Sequence, residues 1–155
     1  MAGSPELARL EAADEIRRLK ALYCRFADRG YPSAGDDAAH FARLFVEEAV
    51  WQGGHGDPAV GPAAIEERFA TFRPFGFHFV TDGLIDVDVD AGRATAHWSA
   101  LAPSTTQDGR ALWIAGTYDD AFVQTPTGWL FERVRFTAAL RTPYEDGWAT
   151  TRFAG

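Results

Sequence analysis

A change of period along this chain predicts an α+β fold, with three helices leading and an antiparallel sheet following. Apolar residues recur at helical spacing between residues 6 and 72 and at strand spacing from residue 75 onward. The strand-like runs are separated by DAG, TTQDG and PTG, short turn signals suited to hairpins.

The first helix is expected over residues 6–28, where Ile16, Leu19, Leu22, Tyr23, Phe26 and Ala27 repeat as one apolar stripe, and Gly30 and Pro32 stop it. A second is expected over AAHFARLFVEE, residues 38–48, capped by Asp36 or Asp37 and carrying Phe41, Leu44 and Phe45 on one face. AVWQ then reads as a short strand. A third helix is expected over residues 61–72, with Pro62 at the first helical position and Ile65, Phe69 and Phe72 along one side. Four strand-like runs follow, at 75–90, 93–104, 111–125 and 129–143, as an antiparallel meander with the helices on one of its faces.

In the first of these runs Ile85, Val87 and Val89 share one face, and Asp86, Asp88 and Asp90 share the other. Carried backward unbroken, that register puts His78 on the acidic, solvated side. Gly83 is a natural bulge position, and one extra residue there moves His78 and Val80 to the buried face. The next two strands carry large apolar groups on both faces: Trp98 and Leu101, then Trp113, Ile114, Tyr118 and Phe122. Three helices cover only one face, so a homo-oligomer is expected.

The chain has 155 residues, 46% of them hydrophobic, which suits a single domain spanning residues 1–155. Its formal charge of −7 argues against nucleic acid or an anionic membrane surface as a partner. Cys24 is the sole cysteine, so no internal disulfide forms, and no apolar run has signal-peptide or membrane-span length. A soluble, cytoplasmic protein is expected. The sole lysine, Lys20, beside many arginines reads as the codon bias of a G+C-rich genome and carries no functional weight at this stage. No HExxH, CxxC or close His/Asp cluster argues for a metal, and no GxSxG elbow, phosphate loop or dinucleotide fingerprint is present.

The segments LYCRFADRG, HFARLFVEEAVW, VGPAAIEERFA, FHFVTDGLIDVD, AGTYDDAFV and GWLFERVRF occur in this order from about Ile16 to about Arg141. In that order and spacing the chain resembles the SnoaL-like branch of the nuclear transport factor 2-like superfamily, which contains scytalone dehydratase and the bile-acid dehydratases. The resemblance implies a cone: a strongly curved antiparallel sheet, partly rolled up, with three N-terminal helices closing a hydrophobic pocket. It also implies that no cofactor is needed, that dimers or trimers form, and that a tyrosine and an aspartate on the first helix work with a histidine opening the strand after the third. Here these positions are Tyr23, Asp28 and His78. The loop YPSAG lengthens the stretch after Asp28 relative to the family pattern. The second catalytic histidine of scytalone dehydratase has no counterpart, its place falling near Leu101 or Pro103.

Taken alone, His78 reads first as a strand-end histidine satisfied by backbone, and Tyr23 as core packing; the resemblance turns both toward function. His78 would act as base, Asp28 would fix its tautomer, and Tyr23 would donate to a carbonyl or leaving oxygen. An ideal helix sets Asp28 about 140° around from Tyr23, so the helix must end or tilt before it. Trp51, Phe69, Val80, His97, Leu101, Tyr118, Asp120 and Phe122 are the expected lining. One of Asp119 and Asp120 points inward and needs a cation, with Arg133, Arg135 and Arg141 as candidates. His40 is expected on a helix surface and His55 in a loop.

The expectation is a cofactor-independent lyase, dehydratase or cyclase, acting on an apolar oxygenated polycyclic or aromatic small molecule. A non-catalytic hydrophobic-ligand-binding domain is the second reading. An epoxide-hydrolase-like enzyme, which needs an aspartate and an arginine beside a positioned water, is the third.

Overall fold

The computed structural model describes residues 4–54, 56–71, 74–81 and 83–154. Phe72 and His55, placed above on the third helix and in a loop, lie outside the described residues.

Helix α1 spans Pro5–Ala27. Ser4 caps it by accepting a hydrogen bond from Glu6 N–H, and Pro5 occupies a position where the missing N–H costs nothing. Its buried stripe of Ile16, Leu19, Tyr23 and Ala27 lies against the sheet and also carries Lys20. Helix α2 is a short turn, Ala38–Ala42, capped by the Asp37 carboxylate on His40 N–H. The second helix expected through residue 48 stops here, because Phe45–Gln52 is strand β1. Phe45, Ala49 and Trp51 are buried along it while Glu47 and Glu48 are exposed. Aromatic and β-branched residues that fit a helical stripe also fit a pleated face, and sheet pairing decided between them.

Strand β2 (Ala59–Val60) pairs with β1, and α3 (Pro62–Ala70) follows. The run 75–90 divides into β3 (Phe75–Gly76), β4 (Phe79–Val80) and β5 (Leu84–Asp88), all antiparallel to β6 (Arg93–Thr105). Strands β7 (Ala111–Thr125) and β8 (Gly128–Pro143) complete the meander, and a one-turn helix α4 (Gly147–Thr150) ends the chain. The sheet order is β2-β1-β8-β7-β6-β3. It is mixed rather than wholly antiparallel, since β1 lies parallel to β8. The curled sheet forms a half-barrel against which the helices pack, the cone expected from the resemblance.

Between α1, α3 and the inner sheet face an aromatic core is packed around Phe131, with Phe45, Phe122 and Tyr23 in ring contact with it. Phe41 stacks on Phe69 at 3.7 Å between centroids. Each such fully buried ring contributes about 1.5–3 kcal/mol relative to exposure. The shift of register in the first strand run is present as well. Val80 pairs with Ala100 and Leu84 with His97, so the run carries one residue more than β6 between these pairs. That extra residue puts Val80 and Ile85, opposite Ala100 and Ala96, on the same inner face. Among the described residues no helix is long and apolar enough to cross a membrane.

Candidate active site

Three backbone features bring Asp28 and His78 together across 50 positions of sequence. Helix α1 ends at Ala27; Asp28 still donates its N–H to Cys24 O at 2.9 Å, and its ψ of 139 turns the chain beyond it out of the helix. Arg29 and Gly76 then exchange backbone hydrogen bonds, Arg29 N–H to Gly76 O at 3.0 Å and Gly76 N–H to Arg29 O at 3.2 Å. The bridge stitches the residue after Asp28 to the segment just before His78. Gly30 makes the approach possible. Its φ is +86, and a Cβ there would lie 2.6 Å from Pro74 O.

Within this frame Asp28 Oδ1 accepts two hydrogen bonds from His78, one from the backbone N–H and one from Nδ1, both at 2.8 Å. Oδ2 accepts from Tyr31 O–H at 2.8 Å. The pair is buried, with side-chain exposures of 5% for His78 and 9% for Asp28. An ionised carboxylate offers no donor, so Nδ1 of neutral His78 carries the proton and Nε2 is the basic nitrogen.

His78 lines two cavities of about 550 Å³ each and, with Val80 and Leu101, a third of about 600 Å³. The first lies along α1 and carries Arg17, Lys20, Arg25, Asp28 and Tyr31. The second is framed by the inner faces of β6, β7 and β8, with Ala102, Leu112, Ile114, Tyr118 and Phe136 as its apolar wall. Arg135 and Arg141 reach this second cavity, and its described lining contains no carboxylate.

Beside the histidine pair lies a buried ion pair. Lys20 Nζ sits 2.8 Å from Asp120 Oδ2, with side-chain exposures of 2% and 0%. The ammonium also lies over the rings of Tyr118 at 3.6 Å and Tyr23 at 4.3 Å. Burial lowers the Lys20 pKa, and the charge of Asp120 and its hydrogen bond oppose that. Burial raises the Asp120 pKa, opposed by Lys20 and by the neighbouring Trp98 N–H. Asp120 Oδ1 and Trp98 Nε1 nevertheless satisfy no hydrogen-bond geometry in the structure.

Of the residues expected to react, Asp28 and His78 are brought together. Tyr23 is buried in the aromatic core, accepts a hydrogen bond from Trp51 Nε1 at 3.0 Å, and lines none of these cavities. Burial lifts its phenol pKa well above the ordinary value. Its ring meets Tyr118 edge-on, and Tyr118 is the phenol on the wall of the second cavity. Val80 lines the first cavity and Tyr118 the second.

Other expected lining residues sit elsewhere. Trp51, Phe69 and Phe122 are core residues beneath the sheet and α3. Leu101 and His97 lie on the outer face, because Ala96, Trp98 and Ala102 take the inner positions of β6, and Leu101 there lines the third cavity with His78 and Val80. His97 Nδ1 pairs there with Asp119 at 2.8 Å, exposed to 48% and 54%. Asp120 is the inward aspartate, but its partner is Lys20 rather than an arginine.

Sequence reasoning missed two groups. Lys20 was signalled by its place on the stripe Ile16, Lys20, Tyr23, Ala27, where a charge demands a buried partner. Tyr31 lies in the added loop, where no periodicity speaks for any residue. Among the described residues no group of three or more His, Cys, Asp or Glu is arranged to hold a metal ion.

The sequence profile of the SnoaL-like domain matches residues 8–135. No curated protein matches the chain in sequence. Among solved structures, a hexachlorocyclohexane dehydrochlorinase, LinA type 2, superposes with a TM-score of 0.78 at 16% identity, over 89% of this chain and 92% of its own. LinA type 3 from Novosphingobium barchaimii gives 0.77 at 16%, over 89% and 93%. A protein of Novosphingobium aromaticivorans assigned as a scytalone dehydratase gives 0.73 at 22%, over 87% and 89%. At these identities the likeness shows a shared fold.

Proposed function

Because the chain belongs to the SnoaL-like domain family, we propose that it is a lyase that removes a proton from carbon with His78 and expels a leaving group from the adjacent carbon. The observation that carries this reading is the buried Asp28–His78 pair, whose histidine stands on the wall of a cavity with an apolar side. The C–H proton passes to Nε2 of His78, and the electrons of that bond become the new double bond. The leaving group departs with its own bonding pair, as chloride or, with a proton, as water. The Asp28 carboxylate stabilises the imidazolium formed in the step.

The rest of the second cavity suits such a step. Arg141 pairs with Ile114 in the sheet, a cavity residue, and supplies positive charge toward the developing anion. Tyr118 is the phenol placed to donate to substrate oxygen; Tyr23 acts on the site through its contact with Tyr118. The volume and apolar wall suit a ring-sized molecule carrying few polar groups. The structural relatives named for eliminations, dehydrochlorination and scytalone dehydration, support this chemistry. A dimer or trimer belongs to the same proposal, with Phe79, Leu84 and Leu101 exposed where a second copy would dock.

The test is elimination from hexachlorocyclohexane, from scytalone and from a panel of cyclic β-hydroxy ketones, followed as released chloride or as ultraviolet absorbance. Turnover of at least one is expected, with His78→Ala about 10²–10⁴-fold slower and binding retained. Turnover unaffected by His78→Ala would overturn the mechanism. Binding without turnover across the panel would make the domain a non-catalytic binder.

A further inference from the structure

The family resemblance accounts for Asp28 and His78, but not for the phenol on the far oxygen of the carboxylate. Tyr31 belongs to the stretch YPSAG, the lengthened loop after α1. The loop is folded back on the helix end by Gly35 N–H to Arg25 O at 3.1 Å and Asp36 N–H to Asp28 O at 2.9 Å. Arg29 clamps it further through an ion pair with Asp36 at 3.0 Å. Gly35 fits only as glycine, since a Cβ there would meet Arg25 O at 2.0 Å. Held this way, the Tyr31 ring rests against Phe75 and Phe77 and its hydroxyl reaches Asp28 Oδ2.

Resting on the lyase reading above, we propose that Tyr31 is a positioning residue that tunes the base: its hydroxyl draws on the Asp28 carboxylate and so limits how strongly that carboxylate holds the His78 proton. Orientation alone does not need Tyr31, because two donors from His78 already fix Oδ1. What the third donor changes is charge. A carboxylate with its second oxygen engaged exerts a weaker pull on an imidazolium, so His78 gives up its captured proton more readily and returns to the neutral form. The donor is dependable across the working range, since burial and the bond to Asp28 raise the Tyr31 phenol to about 12. The other ionisable groups on the cavities that flank His78 are Arg17, Lys20, Cys24 and Arg25 on α1, Tyr118 on β7, and Arg135 and Arg141 on β8. Among the described residues none of their side chains is hydrogen-bonded to the Asp28 carboxylate, whose partners are His78 and Tyr31.

Tyr31→Phe keeps the ring against Phe75 and Phe77 and removes only the hydroxyl. The midpoint of the His78 ring titration, followed by nuclear magnetic resonance and assigned by loss of the signal in His78→Gln, reads the effect without a substrate. It is expected to move up by roughly 0.5–1 pH unit in Tyr31→Phe, with unchanged thermal stability. A midpoint that stays put or moves down would overturn the proposal, whichever reaction the protein performs. A midpoint that rises in a protein with no His78-dependent turnover would uphold the coupling and reject the lyase reading instead.

Discussion

Replacing Lys20 by methionine probes the packing on which the candidate site rests. The substitution keeps the length and apolar body of the side chain and deletes the ammonium that lies 2.8 Å from Asp120 Oδ2. The carboxylate is then left in the core without its cation, with the Trp98 N–H nearby. Stranding one member of a buried ion pair costs about 3–5 kcal/mol. Loss of the cation over the Tyr118 and Tyr23 rings adds about 0.5–2 kcal/mol. For a chain of this size the two together amount to a fall in melting temperature of roughly 7–28 °C.

The sign of the pH dependence follows from Asp120. Burial raises its pKa in the fold above the unfolded value, so protonated Asp120 is tolerated and charged Asp120 is penalised. The Lys20→Met deficit is therefore full at neutral pH and above, and shrinks as pH falls toward the unfolded carboxylate value of about 4. Urea denaturation at several pH values measures it. The double variant Lys20→Met/Asp120→Leu removes both charges and should recover most of the loss. A single variant within about 1 kcal/mol of the parent at pH 7, or a double variant no better than the single, would refute this reasoning.

Three further outcomes are open to direct measurement. Gly83→Ala forces a Cβ to within 2.5 Å of the Trp98 ring, so it should lower stability by about 1–3 kcal/mol in thermal denaturation; a neutral effect would show that this packing is slack. Burial pushes the Cys24 thiol up to about 12, so alkylation by iodoacetamide at pH 8 should run far slower than for a free thiol, and labelling at the free-thiol rate would contradict the burial. His97→Ala, on the outer face with Asp119, should leave any His78-dependent turnover within twofold of the parent, whereas a large loss would place the outer pair in the mechanism.

How much of this was legible depended on whether a pattern had one physical solution. The last three strands had one, because alternation and short turns admit only a meander, and β7 runs from Ala111 to Thr125 as expected. The bulge near Gly83 was readable for the same reason: His78 and Val80 reach the inner side only if the register slips by one. Residues 45–48 had two solutions, and pairing with β8, distant in sequence, chose the strand. Lining was hardest to read. Trp51, Phe69 and Phe122 fill the core where a cavity wall was expected, since spacing tells which face a side chain takes but not whether a void lies in front of it. Lys20 shows a different failure, a compositional oddity whose buried partner lies 100 positions away.

The central claim is that Asp28 fixes the proton of neutral His78 on Nδ1 and leaves Nε2 as the base. Neutral imidazole without such a partner has no comparable constraint on its tautomer, so ¹⁵N resonance of the His78 ring at a pH above its titration is the most direct test. The expected spectrum shows a protonated Nδ1 and an unprotonated Nε2 in the parent, with that preference weakened in Asp28→Ala. A parent ring protonated mainly on Nε2, or one whose tautomer is indifferent to Asp28, would contradict the claim.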